Sequence, residues 1–543
     1  EVRAYSLAGF SLSRKISTSY PPKALAVSGE NLLVACSRSA GELLVIDKKT
    51  FQQKAKINAG HGACDVIVSH DQSTAYVANQ FSDDISVIDL NTQKETARIP
   101  VLRQPSQITL SRDGQFLFVA NFLPAGRADI DTVTSEVSII DLQKAEVIRN
   151  IPLANGSNAL RGMCLSPDGK YLFISHNLGR FQVPTTQVEQ GWMNTSALSV
   201  LDALHGEYVA TVLLDEPERG AAGSWGVHCS EQHLLVAHSG THDFSIIDYP
   251  RFLEKLNGVS DKQALAYDLR FLTGIRQRIK VSGNGPRALI TMGSQAFVAS
   301  YFSDIVENFD LEDPLKKPRK LVITENLKNN QERLGEIYFN DATYCFQEWQ
   351  SCNGCHPGEA RMDGLNWDLL NDGIGNSKNC KSMVLAHKTP PSMATGIRPS
   401  AEAAVRAGFT HIQFVKVEEE HARAVDAYLK SLKPVASPYL VNGKLSQEAL
   451  KGKQVFEKTG CASCHPSPLY TDLKKHTMGT PGIYDHQNRW DTPALVEVWR
   501  TGPYLHDGRC ATMKAVFSEE KHGLRKPLPE EELDCLVEYV LSL

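Results

Sequence analysis

The chain has 543 residues, 42% of them hydrophobic and 22% charged, with a formal net charge of −5; that is the make-up of a globular protein too long for one core, not of a disordered chain. A net charge this small over this length says nothing about partners, no basic cluster suggests nucleic acid, and no apolar run approaches the roughly 20 residues of a membrane-spanning helix.

Residues 1–325 repeat. A short apolar strand, a Ser-x-Asp-Gly-like turn, a second strand ending in Ala-Asn or similar, a variable loop and a strand ending Ile-Asp-Leu recur every 40 to 60 residues. The second and third strands read LLVAC with LLVID, AYVAN with ISVIDL, LFVAN with VSIIDL, LFISH with LSVLDA, LLVAH with FSIIDY, and AFVAS with VENFDL. Period-2 alternation bounded by turn residues predicts antiparallel strands, and four strands per repeat predict propeller blades. Six repeats are nearly complete. The stretch Tyr5–Ile16 looks like the last two strands of another, so seven blades are expected, with six the alternative. The pattern resembles the YVTN-type bacterial propellers. Two long loops, Phe122–Glu136 and Asn177–Thr195 (with Arg180, Trp192 and Met193), fall on one predicted face together with His176, His238, His242, Asp83, Asp84, Tyr301 and Asp304. That face reads as a docking platform or channel mouth, or simply as solvated loops. Tyr249–Arg278 breaks the repeat and is expected to be a helical insertion.

After Asn329 the periodicity turns helical, and two Cys-x-x-Cys-His pentapeptides appear: Cys352–His356 and Cys461–His465. Chance would supply about 0.01 of these. Each is a haem c attachment site. The cysteines (Cys352 and Cys355; Cys461 and Cys464) form thioethers, and His356 and His465 become iron ligands. Two haem c groups are therefore expected, in two mainly α-helical cytochrome c-like domains at 326–436 and 437–543, joined by the Pro/Ser-containing stretch KPVASPYLVNGKLS. The helix beginning at Glu418 should bury Val425, Tyr428 and Leu429 and leave His421 at the surface. The remaining cysteines are read either as buried thiols or as disulfides, with Cys345–Cys380 and Cys510–Cys535 the pairings considered. Haem c attachment, with Glu rather than Met at position 1, points to an exported, processed periplasmic chain.

The segments RLGEIYFNDATYCFQEWQSCNGCHPGEARMDG and, above all, DTPALVEVWRTGPYLHDGRCATMKAVF resemble the bacterial diheme cytochrome c peroxidase and MauG superfamily, over residues 330–543. The resemblance implies a peroxide-reactive first haem and a six-coordinate second haem that passes electrons. The second haem's sixth ligand would be His522, with His476, Met478 and Met513 as alternatives. The peroxidases' switchable distal His falls near Cys380 here, so the first haem is closer to the MauG type. His411, Glu402 and Gln413 are the distal candidates, His411 or Glu402 as acid–base group, although His411 could also ligate iron or be a buried structural histidine. A calcium ion held by Thr501 and Pro503 carbonyls is implied, although Lys388 replaces the family's Asn. Trp367, Trp490 and Trp499 are candidate relays or plain packing. The function implied is a periplasmic peroxidase-type oxidoreductase, taking hydrogen peroxide or another small oxidant and a small electron-transfer protein or a partner-protein substrate. The alternatives are an electron-transfer and assembly subunit, and a peroxide-independent haem enzyme of nitrogen or one-carbon metabolism.

Overall fold

The structure is a computed structural model that describes residues 1–37, 40–182, 193–325, 327–368, 377–479, 481–482, 485 and 488–543; Trp192 lies outside the described residues. The chain separates into two compact units. The first comprises Glu1–Pro124, Thr134–Leu178 and Thr195–Leu327, the second Ala125–Val133, Gly179–Asn194 and Lys328–Leu543.

The first unit is built of six four-stranded antiparallel meanders, residues 22–58, 63–100, 105–152, 157–213, 224–280 and 286–322 (blades 1 to 6). Successive blades pack inner strand against inner strand, as in a β-propeller. The expected seventh blade is present only as a two-stranded hairpin, Val2–Tyr5 with Leu12–Ile16. Arg3 of the hairpin donates to the Ile323 carbonyl beyond blade 6 (2.9 Å), and Val2 packs on Val34, Leu44 and Ile46 of blade 1. Six complete blades is therefore the observed count. The reason is that the chain supplies two strands at this place and, after Val322, runs into the helical unit.

Local chemistry explains the repeat. In the Ser-x-Asp turns the serine hydroxyl donates to the aspartate two residues on, as in Ser111–Asp113 (2.5 Å) and Ser166–Asp168 (2.6 Å), and Gly114 and Gly169 take the positive φ that follows. The aspartate of Ile-Asp-Leu caps the next turn: Asp89 accepts from the Asn91 and Thr92 amides, and Asp141 from Gln143 and Lys144. Those amide bonds hold the Asp89 and Asp141 carboxyls below their usual value, and the Ser69 hydroxyl holds Asp71 at about 2. Because the folded pKa lies below the unfolded one, this stability is full above about pH 4 and is lost as pH falls through the folded values. Urea midpoints should therefore drop steadily between about pH 4 and pH 2, and Asp141→Asn should flatten that slope.

His176 and His238 do not belong to an exposed face. Both are fully buried at the end of a blade's second strand, where Nε2 meets the hydroxyl of Ser199 or Ser245 (2.8 Å each). Asn79 and Asn121 occupy the same place in other blades and bond Ser86 and Ser138. Burial pushes His176 down to about 4 and His238 well below its usual value, so both act as neutral braces. The expected insertion is present as helix α1 (Tyr249–Gly258), capped by Asp248 and burying Tyr249, Phe252 and Leu256.

The second unit is a duplicated helical fold. In its first half, α2 (Gln331–Asn340) precedes the first pentapeptide, a short turn α3 (Pro357–Ala360) follows it, and α4 (Ala401–His411) and α5 (Glu419–Ser431) close the half. The second half repeats this with α6 (Gln447–Lys458), α7 (Met513–Ser518) and α8 (Glu530–Leu541). A Cβ on Gly335 of α2 would collide with the Ala424 carbonyl and Tyr428 of α5, and one on Gly452 of α6 with the Cys535 carbonyl and Tyr539 of α8. Glycine is what lets each helix pair touch. Ser400 and Thr512 cap α4 and α7 in the same way. The halves also bond reciprocally, Asn379 N–H to the His506 carbonyl (2.8 Å) and Asp491 N–H to the Ala394 carbonyl (3.0 Å).

No two cysteines are joined in a disulfide, so the considered pairings Cys345–Cys380 and Cys510–Cys535 are not seen. Cys380 instead lies against the Cys355 carbonyl (3.1 Å), and Cys510 sits in the apolar core of the second half. His421 is not a surface residue: it packs between Tyr338 and Tyr344, ring centres 4.5 and 5.0 Å away.

Candidate functional site

Each pentapeptide forms one 3₁₀ turn, Cys352–Gly354 and Cys461–Ser463, which returns the histidine amide to the first cysteine's carbonyl (3.0 and 2.9 Å). The histidines are then fixed alike. His356 Nδ1 bonds the Arg361 carbonyl (2.9 Å) and His465 Nδ1 the Tyr470 carbonyl (2.8 Å). A carbonyl only accepts, so each Nδ1 carries the proton and each Nε2 lone pair is left for iron, the usual outer-sphere arrangement of a ligating imidazole. Burial depresses both pKa values, His356 and His465, and keeps the rings neutral.

The surroundings of the two sites differ. At the first, Asn194 Nδ2 donates to the Cys355 sulfur (3.0 Å) and Gln413 Nε2 to the Cys352 sulfur (3.1 Å). Asn194 comes from one of the two segments that leave the repeat to join the helical unit, and nothing in the sequence marked it. Behind His356 stands Asp363, fully buried and accepting from Trp367 Nε1 (2.7 Å). Its counterpart Asp472 bonds His476 Nε2 (2.7 Å). Met513 is packed in the core. His522 is different: its Nδ1 is buried without a hydrogen-bond partner, and burial together with the nearby charge of His465 pushes it down to about 4. An orphaned imidazole close to the proximal histidine fits a haem held between His465 and His522.

The three distal candidates of the first half are not brought together. Glu402 pairs with Lys430 (2.9 Å), which holds its carboxyl at about 2 and leaves it no proton to give. His411 ends α4, exposed, about 13 Å further along the helix at 1.5 Å per residue. Gln413 is buried on the Cys352 sulfur. His387 Nε2 bonds Asp426 (3.0 Å), which Arg406 braces in turn, and its Nδ1 is buried without a hydrogen-bond partner.

Of the residues named for calcium, Thr501 donates its hydroxyl to the Val498 carbonyl (3.1 Å) and Lys388 is exposed. Among the described residues no three His, Cys, Asp or Glu side chains converge as a metal group. Of the tryptophans, Trp490 stacks on His506 (3.7 Å between ring centres), whose Nε2 bonds Asp485 (2.6 Å). Linking the halves is a buried ion cluster: Arg361 Nη2 and Arg500 Nη1 each lie 3.0 Å from Glu497 Oε1.

Residues 27–137 match the family described as cytochrome D1 heme domain, and residues 449–543 match cytochrome c. The chain is 25% identical over 343 residues to hydrazine synthase subunit gamma of Kuenenia stuttgartiensis, covering 50% of this chain and 97% of that protein. It is 26% identical over 212 residues to subunit beta of the same organism, covering 37% of this chain and 52% of that protein. Cytochrome c551 peroxidase of Nitrosomonas europaea is 22% identical over 279 residues, covering 42% of this chain and 83% of the peroxidase. A solved Kuenenia stuttgartiensis hydrazine synthase chain shares the fold at TM-score 0.52 and 23% identity, covering 57% of this chain and 88% of that one. The chain thus joins an N-terminal β-propeller to a haem c region like those of the cytochrome c peroxidases and MauG proteins, and it is similar to haem oxidoreductases. Among the described residues no helix is long and apolar enough to cross a membrane.

Proposed function

We propose that the chain is a periplasmic two-haem oxidoreductase in which the second haem, between His465 and His522, relays electrons and the first, on His356, meets a small substrate. The observation that carries this is the asymmetry of the duplicated halves. After α7 ends at Ser518 the second half places His522, its Nδ1 buried without a partner near His465; in the first half α4 runs on to His411, which is exposed at its end. On this reading the first haem receives no outer imidazole from the same place in its half.

Haem supplies a one-electron redox centre and, where one axial position is free, a place for a small ligand. The chain's own residues hold both proximal imidazoles by carbonyls, donate amide hydrogens to both sulfurs of the first site, and fix the two halves through Glu497. We favour a small nitrogen compound as substrate, because the chain resembles both the gamma and the beta subunit of hydrazine synthase and because Glu402, His411 and Gln413 form no acid–base group of the kind peroxide cleavage needs. Peroxide is the second reading, supported by the likeness to the c551 peroxidase. In either case electrons would pass to or from a small electron-transfer protein.

The test is electron paramagnetic resonance and optical titration of the oxidised and half-reduced protein. One low-spin haem should stay indifferent to added ligands while the other binds nitric oxide. Rapid spectral change with hydrogen peroxide would favour the second reading. Two low-spin haems inert to both would leave only an electron-transfer subunit.

A further inference from the structure

In the propeller the innermost strand of every blade carries a bulge near its start. In five blades it gains one residue on its neighbour, as where the pairing steps from Pro286↔Ser300 to Ala288↔Ala299. In blade 4 it gains two: the register passes from Asn158↔Asn177 to Gly162↔Ser175, leaving Ala159, Leu160 and Arg161 opposite His176 alone. Ala159 adopts a φ of 52° to allow it. Such bulges re-aim a side chain, and the one re-aimed here is Arg161.

Arg161 is only 7% exposed, yet no carboxylate pairs with it among the described residues. Nη1 donates to Asn177 Oδ1 (3.2 Å), while Nη2 is buried with no partner. The guanidinium lies 5.2 Å from the centre of the Trp225 ring and 5.9 Å from that of Phe122. Trp225 comes from the bulge of blade 5, and its Nε1 is likewise buried and unpartnered. Arg287, from the bulge of blade 6, places a second guanidinium 4.2 Å from the same Trp225 ring and 4.1 Å from Tyr301. Burial and the neighbouring Arg287 pull the Arg161 pKa down to about 9. Two cations over one indole repel, a buried unpaired charge is costly, and ring faces offset only part of that cost. Among the described residues no carboxylate accepts from Arg161 Nη2 or from the Trp225 indole N–H.

We infer that Arg161, Arg287 and Trp225 form a binding site for a small oxyanion, a carboxylate or an inorganic one, at the level of the inner-strand bulges. The fork of Arg161 would bond two of its oxygens, Trp225 Nε1 would donate to it, and Arg287 would add the second charge. The site lies in the propeller.

Titration calorimetry of the haem-loaded full chain with sodium acetate, nitrate and phosphate, at constant ionic strength against chloride, tests this. At least one anion should bind saturably to the natural protein and about tenfold or more weakly to Arg161→Met, since a charge-assisted bidentate contact is lost. Arg287→Gln should weaken it less, and gives the same reading if the first variant fails to fold. Acetate as the tightest ligand assigns a carboxylate; nitrate or phosphate assigns an inorganic anion. In oxyanion-free buffer Arg161→Met should melt no lower than the natural protein, because it removes an unpaired buried charge. Absence of saturable binding by all three anions, binding undiminished in both variants, or a lower melting temperature for Arg161→Met in oxyanion-free buffer would overturn the assignment.

Discussion

Replacing Glu497 with Gln should cost about 3–5 kcal/mol, the usual result of removing one partner from a buried ion cluster. The Glu497, Arg361 and Arg500 side chains are all 3–4% exposed. Arg361 reaches both carboxylate oxygens at 3.0 and 3.1 Å, and Arg500 takes one of them. Burial and the charge of Arg361 already pull Arg500 down to about 10, so without Glu497 two like charges stay buried side by side. Such a loss is a large part of the roughly 5–15 kcal/mol that holds a domain together. It should also reach the first haem site, because the Arg361 carbonyl fixes His356. Urea unfolding followed at the Soret band measures it. The double change Arg361→Met with Glu497→Leu should be milder than Glu497→Gln, since it removes the charges together. A Glu497→Gln protein within 1 kcal/mol of the natural one would show that the cluster is not what joins the halves.

His522→Ala is expected to have the second largest effect, on spectrum and potential rather than on folding. If His522 closes the second haem, its loss turns one of two haem signals from low to high spin and makes that haem bind cyanide or imidazole. The potential should move upward by on the order of 100 mV, a modest part of the ~0.8 V over which axial ligands tune haem. Exogenous imidazole should restore the low-spin signal. The first haem should be untouched, because His356 is held by its own half. Unchanged spectra in His522→Ala would remove the bis-histidine assignment.

Much of the molecule is legible in the chain because its signals are local. Alternation and turn chemistry are short-range, so the blades could be read from strings such as AYVAN and ISVIDL, and a pentapeptide that attaches haem needs nothing beyond itself. His522 is a candidate from its place after the HDG block, and the structure adds only that its Nδ1 is buried without a partner. The failures involve partners distant in sequence. His176 and His238 look like surface histidines until the serine of the next strand, 23 or 7 residues on, is seen to bond them. Cys345 and Cys380 are close enough in sequence to suggest a disulfide, but Cys380 is spent on the pentapeptide.

The sequence by itself determined the repeat, the two Cys-x-x-Cys-His pentapeptides and the helical character of the second unit, since each depends on residues a few positions apart. Only the tertiary structure decided that Asn194 belongs beside Cys355, that Glu497 lies between two arginines, that Glu402, His411 and Gln413 stand apart, and that Arg161 meets Trp225 with no carboxylate paired to it among the described residues. These depend on which side chains burial forces together, and desolvation sets the energy of a charge or polar group only once its neighbours in space are fixed.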